Sequence, residues 1–426
     1  MLFLHLLPLN ENSEPLALEY ALTAPENSPA GSPGTPEQRG LLILPPRAGI
    51  FPAPEYSAAL PEDPVVMLNN AETLPDLREK VSTIFGAPGA DIIVLTSFRF
   101  LTALKKLFLR LLLPDLTRGR KCVSSRSLVR AAALYKGIWP EEYSRNLKKA
   151  CEGISGRPET QLSGARGLLG ILKQRESRLL DYFLKVSPLS DPGAVAPFSS
   201  EKILAALGEN SFMMFTPLLP ASDGGILVWD LSVSPADPEN RSAGFVKLYD
   251  RGDILISPAG TVSRNVLDRY GVSSAGIREN SALLSGLLKR EDFREEACQA
   301  AIPSEESLTE VRTLGNAKGL DDLNALTEHP GYCKITAGDA GSSRLLSLLP
   351  GISGELLHAV LDYLYTASPE LLDQQYAQMY GELVGERISE KRDDFILRLN
   401  DLAEKNRQNP ECLKRLKNLY DYLARN

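Results

Sequence analysis

Two polar side chains suited to a ligand site follow short apolar runs in the middle of the chain. Asp230 follows the run Ile226–Trp229, and Ser257 follows the run Ile254–Ile256. Apolar runs bounded by Gly, Asp and Pro are typical of strands that are buried on both faces of a parallel sheet. Open α/β sheets bind ligands at the carboxyl ends of their strands. A carboxylate and a hydroxyl at two such ends therefore predict a ligand pocket.

Other residues that could do chemistry form weaker patterns. His329 and Cys333 stand four residues apart, but Pro330 and Gly331 lie between them, and we expect no helix there that would bring them together on a metal. The three histidines of the chain offer no convincing base for a serine or cysteine nucleophile. The sequence therefore predicts neither a metal site nor a hydrolytic triad.

The elements before Asp230 follow an α/β order. Leu16–Leu22 and Gly40–Leu44 alternate as strands that could pair, and Thr73 is placed to cap a helix that ends near Gly86. Four further elements are predicted before the first apolar run: a strand over Asp91–Leu95, a helix over Leu101–Leu113, a strand over Lys121–Ser124 and a helix over Leu128–Gly137. We expect one predominantly parallel sheet with helices on both faces.

The chain resembles the class I/II aminotransferases, and also the aminotransferase-like domains of GntR-type regulators. The resemblance lies in this order of elements, in the motif Phe51-Pro-Ala-Pro54 and in the two polar strand ends. The resemblance implies an α/β chain of the PLP-dependent transferase-like fold (fold type I). It would have a three-layer αβα large domain and a mostly helical C-terminal part. The resemblance also implies that Asp230 occupies the position that pairs with the pyridine nitrogen of pyridoxal phosphate (PLP). Ser97, Ser257 and Arg269, or Arg264 in place of Arg269, would be vestigial cofactor contacts.

The catalytic lysine of that family is missing. Its motif reads Ser257-Pro-Ala-Gly260-Thr here, so the position of the Schiff-base lysine falls on Gly260, and a phosphate-loop glycine falls on Phe98. The resemblance therefore implies a catalytically degenerate pseudoenzyme, a non-catalytic binding or regulatory protein with no cofactor expected. The alternative is an active PLP-dependent aminotransferase that takes its lysine from another position, Lys247 being the nearest candidate.

Composition divides the chain into four predicted segments. Residues 1–60 are an extended, proline-rich segment with a β-hairpin, and residues 61–280 are the aminotransferase-like large domain. Residues 281–345 are an insertion or irregular segment, and residues 346–426 form a helical C-terminal region. The family resemblance implies a homodimer, with a small molecule or a protein as a further ligand.

The charge of the chain is uneven. The net charge of the 426 residues is −7, yet residues 101–150 hold 12 basic and 3 acidic side chains. We interpret this run as solvated helix faces or a subunit contact, and we expect no nucleic-acid partner. Nucleic-acid binding through Arg118–Lys149 remains a further hypothesis that rests on charge alone.

The cysteines and the N-terminus indicate the compartment. The five cysteines are odd in number and include no Cys-x-x-Cys pair, which favours a reducing cytoplasm over a disulfide framework. The apolar run Leu2–Leu9 lacks a basic flank and is too short to span a bilayer. The sequence predicts a cytoplasmic protein with no membrane partner.

Overall fold

The structure of the protein is a computed structural model, which describes residues 1–8, 15–23, 38–45, 47–48, 54, 63–154, 158, 160–185, 198, 202–221, 225–237, 241–248, 254–302, 312–314, 318–337 and 341–425. Residues 51–53 of the aminotransferase-like motif lie outside these ranges.

The strands of the described residues form two sheets. They are β1 (Leu2–Pro8), β2 (Pro15–Leu22), β3 (Gln38–Ile43), β4 (Ile92–Leu95), β5 (Lys121–Ser124), β6 (Leu204–Leu207), β7 (Phe212–Pro220), β8 (Ile226–Asp230), β9 (Phe245–Leu248), β10 (Leu255–Pro258) and β11 (Arg312–Leu314).

The helices surround and follow these strands. They are α1 (Pro64–Asn69), α2 (Leu74–Gly86), α3 (Phe100–Arg110), α4 (Ser125–Lys136), α5 (Leu147–Ile154), α6 (Gln161–Lys185), α7 (Arg241–Gly244), α8 (Arg264–Arg269), α9 (Ser274–Leu287), α10 (Glu291–Ala300), α11 (Lys318–Glu328), α12 (Pro330–Thr336), α13 (Ser342–Leu348), α14 (Gly354–Ala367), α15 (Gln374–Lys405) and α16 (Pro410–Arg425). No helix in the described ranges has the length and apolar character needed to cross a membrane.

The first sheet has the strand order β3-β2-β1-β4-β5. β1 and β2 pair antiparallel with Leu2 opposite Leu22, and β2 and β3 pair antiparallel with Ala17 opposite Ile43. The predicted pairing of the second and third strands is therefore confirmed. β1, which was not predicted as a strand, lies at the middle of the sheet order.

The second sheet corrects the predicted topology. Its order is β10-β6-β7-β8-β9-β11, and every pair in it is antiparallel except β9 with β11. The expectation of a parallel sheet that contains β8 and β10 is wrong. That expectation rested on burial of the strands on both faces, and the structure does show this burial. In β8, Leu227 and Trp229 lie in one core cluster, and Ile226 and Val228 lie in another. Antiparallel strands covered on both faces give the same continuous apolar runs as parallel ones.

The local predictions about helix starts have mixed outcomes. The helix after Thr73 is confirmed, because Thr73 Oγ1 accepts a hydrogen bond of 3.3 Å from the amide of Asp76 at the start of α2. The absence of a helix after His329 is wrong. α12 begins at Pro330, and His329 Nδ1 accepts a hydrogen bond of 3.1 Å from Gly331 N. Proline is tolerated in a first turn because its missing N–H has no helical partner there.

The chain divides into two compact units, and neither is one continuous stretch. Unit 1 contains residues 1–93, 99–120 and 318–426, and unit 2 contains residues 94–98 and 121–317. In unit 1 the buried carboxylate of Asp362 binds Arg47 and accepts a hydrogen bond of 3.0 Å from Tyr380. In unit 2 two apolar clusters line the second sheet, and one of them includes residues of α8 to α10.

Candidate nucleic-acid interface

The ends of β4 and β5 meet at one carboxylate in unit 2. Glu209, in the turn between β6 and β7, accepts hydrogen bonds from Ser97 Oγ at 2.9 Å, from Phe98 N at 2.8 Å and from Ser124 Oγ at 2.5 Å. Ser124 also caps α4, because its hydroxyl accepts a hydrogen bond of 3.3 Å from the amide of Ser127. This sheet edge therefore presents hydrogen-bond donors, and a carboxylate of the chain itself occupies them.

α4 is fixed to the second sheet by Arg130. Its Nε donates to Glu141 Oε1 at 2.6 Å, and its Nη1 donates to the carbonyl of Ser211 at 2.9 Å. Tyr270 donates to the same Glu141 oxygen at 2.9 Å, and Arg269 pairs with the other Glu141 oxygen at 2.9 Å. Partial burial raises the pKa of Glu141, but the bonds from Arg130 and Tyr270 outweigh it and hold the pKa below its ordinary value. The network thereby fixes the orientation of α4.

The helices that follow β5 carry the positive charge of unit 2. Residues 121–185 hold 13 lysines and arginines against 6 aspartates and glutamates, although the whole chain has a net charge of −7. α4 and α5 both pack on α6. Gly164 permits the close approach of α5 and α6, because a Cβ there would lie 2.7 Å from the carbonyl oxygen of Leu147. The three helices thus form one packed layer with a positive outer surface.

Four cations of α4 and α6 are exposed, and we call them the basic patch: Lys136, Lys173, Arg175 and Arg178. Lys136 ends α4, and its Nζ lies 3.3 Å from Glu176 Oε2, which stands between Arg175 and Arg178 in the sequence of α6. Glu176 interrupts the helical backbone with φ −140° and ψ 54°, so α6 bends within the patch.

One aromatic ring accompanies the basic patch. Tyr182 stands four residues after Arg178 and so lies near it on the helix surface. Its ring meets Phe183 edge-on with centroids 5.3 Å apart, and it is partly exposed. Partial burial raises the pKa of Tyr182, so the phenol stays neutral at neutral pH. Cations that bind phosphates, with a neutral ring that can stack on a base, are the usual components of a single-strand binding surface.

The residues predicted as a cofactor pocket do not come together. Asp230 is buried and accepts hydrogen bonds from the amide of Ser232 at 2.9 Å and from its hydroxyl at 2.7 Å. Ser257 is buried and donates to Tyr135 Oη at 3.3 Å. Two strands separate β8 from β10, which places these two strand ends about 14 Å apart at the usual strand spacing.

The other predicted positions also have structural partners or open surroundings. Ser97 binds Glu209, and Arg269 is exposed and pairs with Glu141. Gly260 lies in an exposed turn, and a Cβ there would meet no atom within 4 Å. Lys247, the alternative lysine, is buried and donates to the carbonyl of Ile302. The structure therefore brings no two of the predicted cofactor-binding residues together.

Sequence reasoning missed Glu209 and the part of the basic patch on α6, whereas Arg130 and Lys136 lie within the run Arg118–Lys149 of the charge hypothesis. Glu209 and Ser97 are 112 residues apart, so no local pattern joins them. The basic patch does have a signal, because Lys173, Arg175 and Arg178 fall within six residues of an otherwise amphipathic segment. This signal lies beyond the run Arg118–Lys149 on which the charge hypothesis rested.

Comparisons with known proteins identify the fold. No family model and no curated protein matches the chain. Three solved structures of E. coli exonuclease I match 100% of this chain and 99% of theirs. They are the complex with a dA16 oligonucleotide (TM-score 0.73, 14% identity), the metal-free complex with single-stranded DNA (0.74, 14%) and the zinc-bound complex with single-stranded DNA (0.73, 15%).

These matches overturn the aminotransferase interpretation. The resemblance to PLP-dependent enzymes, the fold type I architecture, the degenerate-aminotransferase function and the PLP alternative are all unsupported. The predicted homodimer loses its basis, because it rested on that resemblance. The expectation of no nucleic-acid partner conflicts with the matches, because exonuclease I holds DNA in all three structures. The chain has the mixed α/β fold of E. coli exonuclease I, with a helical C-terminal part.

Proposed function

We propose that this protein binds single-stranded DNA. The observation that carries the proposal is the correspondence of fold over the whole chain with a protein whose structures hold single-stranded oligonucleotides. Proteins of one fold can differ in function, so the proposal also needs support from residues of this chain.

The basic patch supplies that support. Lys136, Lys173, Arg175 and Arg178 are exposed, and they lie in a segment with an excess of seven positive charges in an acidic protein. A DNA strand gains affinity mainly from phosphate contacts with lysine and arginine, which release counterions. A local excess of positive charge in a protein of opposite net charge concentrates this attraction on the helices of unit 2 that carry it.

The partner proposed is a single strand because of Tyr182. Stacking on an aromatic side chain requires a base whose face is free, which a base inside a duplex does not offer. The ring of Tyr182 is held by Phe183 and α6, so it loses little freedom when a base covers it. A strand that follows the patch would place phosphates on Arg175 and Arg178 and a base on Tyr182.

Fluorescence anisotropy tests the proposal with a labelled dA16 strand and a duplex of the same length. The patch variant carries Lys173→Glu, Arg175→Glu and Arg178→Glu. The control variant carries the same change of charge on exposed lysines of unit 1, as Lys334→Glu, Lys414→Glu and Lys417→Glu.

The wild-type protein is expected to bind the single strand more tightly than the duplex. The patch variant should flatten the dependence of log K on log salt by about 2 over roughly 50–200 mM, since each lost phosphate contact on a single strand contributes about 0.7. The control should keep the wild-type slope. Equal slopes for wild type and patch variant would refute the assignment of the patch, and no binding by wild type would refute the function.

A further inference from the structure

The zinc-bound and metal-free complexes of exonuclease I raise the question of whether this chain suits a metal ion. Divalent metals that cleave phosphodiesters are held by several converging carboxylate or imidazole groups. Within the described ranges, no three His, Cys, Asp or Glu side chains form a group that could hold a metal. The chemistry of the groups that do converge points the same way.

The edge where β4 and β5 end has the wrong polarity for a cation. The groups that meet there are the hydroxyl of Ser97, the amide of Phe98 and the hydroxyl of Ser124, and all three donate to one carboxylate. An amide N–H cannot coordinate a metal, and the two hydroxyls already direct their protons at Glu209. This edge suits an anion, and Glu209 provides it.

Four other buried or partly buried carboxylates are likewise engaged by partners within the protein. Their partners are Arg47 and Tyr380 for Asp362, Lys105 and Thr117 for Asp115, Arg130 and Arg269 for Glu141, and Ser232 for Asp230. Protein cations therefore hold three of these four carboxylates. A metal at any of them would have to displace an arginine or lysine and leave that cation without its counterion, which strongly disfavours binding.

The residues of the described chain thus do not fit the metal of the exonuclease I complexes. We infer that this protein binds a DNA strand without a divalent metal and leaves the strand intact. The inference rests on the proposed function, because it describes how the same strand is held. Affinity then comes from lysine, arginine and aromatic contacts alone.

Three measurements on the full chain test the inference. Anisotropy with 5′-labelled dA16 is compared in EDTA and in MgCl₂ at matched ionic strength. The same samples are run on a denaturing gel after incubation. Isothermal calorimetry follows MgCl₂ and, separately, ZnCl₂ titrated into protein without DNA.

The expected result is an affinity in MgCl₂ equal to or below that in EDTA, because without a metal site Mg²⁺ can only compete with lysine and arginine for the phosphates. The gel should show full-length strand, and calorimetry should show no saturable heat. Shortened products that EDTA abolishes, or an affinity gain of about tenfold with metal, would overturn the inference. Absence of binding in both buffers would refute the proposed function instead, and the calorimetric titration would still decide whether the chain holds a metal.

Discussion

The carboxylate of Glu209 accepts a hydrogen bond of 2.5 Å from the hydroxyl of Ser124, which is fully buried at the junction of β5 and α4. The two residues are 85 positions apart in the chain. This bond ties the turn between β6 and β7 to the N-terminus of α4. The bond thereby connects the antiparallel hairpin of β6 and β7, in the second sheet, to the helix that follows β5 of the first sheet.

Removal of the Glu209 carboxylate is expected to destabilise the protein. Glu209→Ala leaves the Ser97 hydroxyl, the Phe98 amide and the Ser124 hydroxyl without their acceptor, at a cost of about 1–3 kcal/mol in the free energy of unfolding. Urea denaturation followed by circular dichroism measures the loss. Asn210→Ala, an exposed neighbour in the same turn, is the control and should change little. An unchanged midpoint for Glu209→Ala would show that water replaces the carboxylate.

Acid should weaken the network around Glu141. Its pKa lies below the ordinary value of 4.5, because the bonds from Arg130 and Tyr270 outweigh partial burial. A lowered folded-state pKa stabilises the protein fully above the unfolded value, and the contribution is lost as pH falls below 4.5 toward the folded pKa.

Glu141→Gln is therefore expected to flatten the fall of the urea midpoint with pH in this acid range. Glu142→Gln, the exposed neighbour, should keep the wild-type slope. A parallel pH dependence for Glu141→Gln and wild type would contradict the role given to the network.

The core of the second sheet should not tolerate a methyl group at Gly244. A Cβ there would lie 2.3 Å from the ring of Trp229, which is fully buried against Phe245 and Phe293. Gly244→Ala is expected to cost about 1–3 kcal/mol through overpacking.

Gly286 provides the matched control for that substitution. It lies in α9, and a Cβ at this position would meet no atom within 4 Å, so Gly286→Ala should be neutral or stabilise the protein by up to about 1 kcal/mol. Thermal unfolding measures the melting temperatures of Gly244→Ala and Gly286→Ala against the wild type. Equal melting temperatures for the two would contradict the packing described around Trp229.

Tyr182 should contribute to binding by stacking. Tyr182→Ala is expected to weaken dA16 binding by about 1–3 kcal/mol, which is the usual loss for one stacked base. Tyr182→Phe keeps the ring and should bind like wild type. Tyr420→Ala removes an exposed tyrosine from α16 of unit 1 and serves as the control. Equal affinities for Tyr182→Ala and Tyr182→Phe would rule out stacking at this position.

Local elements could be predicted from the sequence because their signals are local. The side chain of Thr73, the proline after it and the apolar spacing of α2 all lie within one helix, and alternation in β2 and β3 was enough to predict their pairing. β1 was missed because Leu2–Pro8 is a nearly continuous apolar run. Such a run reports burial but does not distinguish a strand from other buried segments.

The topology and the site required tertiary information. Burial of β8 and β10 on both faces was inferred correctly, but their direction depends on connections through β6 and β7 that no short motif specifies. The similarity of Ser257-Pro-Ala-Gly260-Thr to a cofactor motif then suggested a cofactor-binding role for residues that form a short turn in the structure. Glu209 and Arg130 act across long separations in the chain, so their roles appear only after folding.

The discontinuity of unit 1 has a consequence for the order in which the protein folds. Arg47 binds Asp362 across 315 residues, and Asn418 Nδ2 donates to Asp63 at 2.5 Å across 355 residues. On the ribosome, Arg47 and Asp63 must wait for α14 and α16 before these contacts can close, whereas the sequence of unit 2 is complete at residue 317. Contacts of such long range are slow to form, and nascent chains expose their partners meanwhile. Unit 2 can therefore mature first, while Arg47 and Asp63 are among the residues enclosed last.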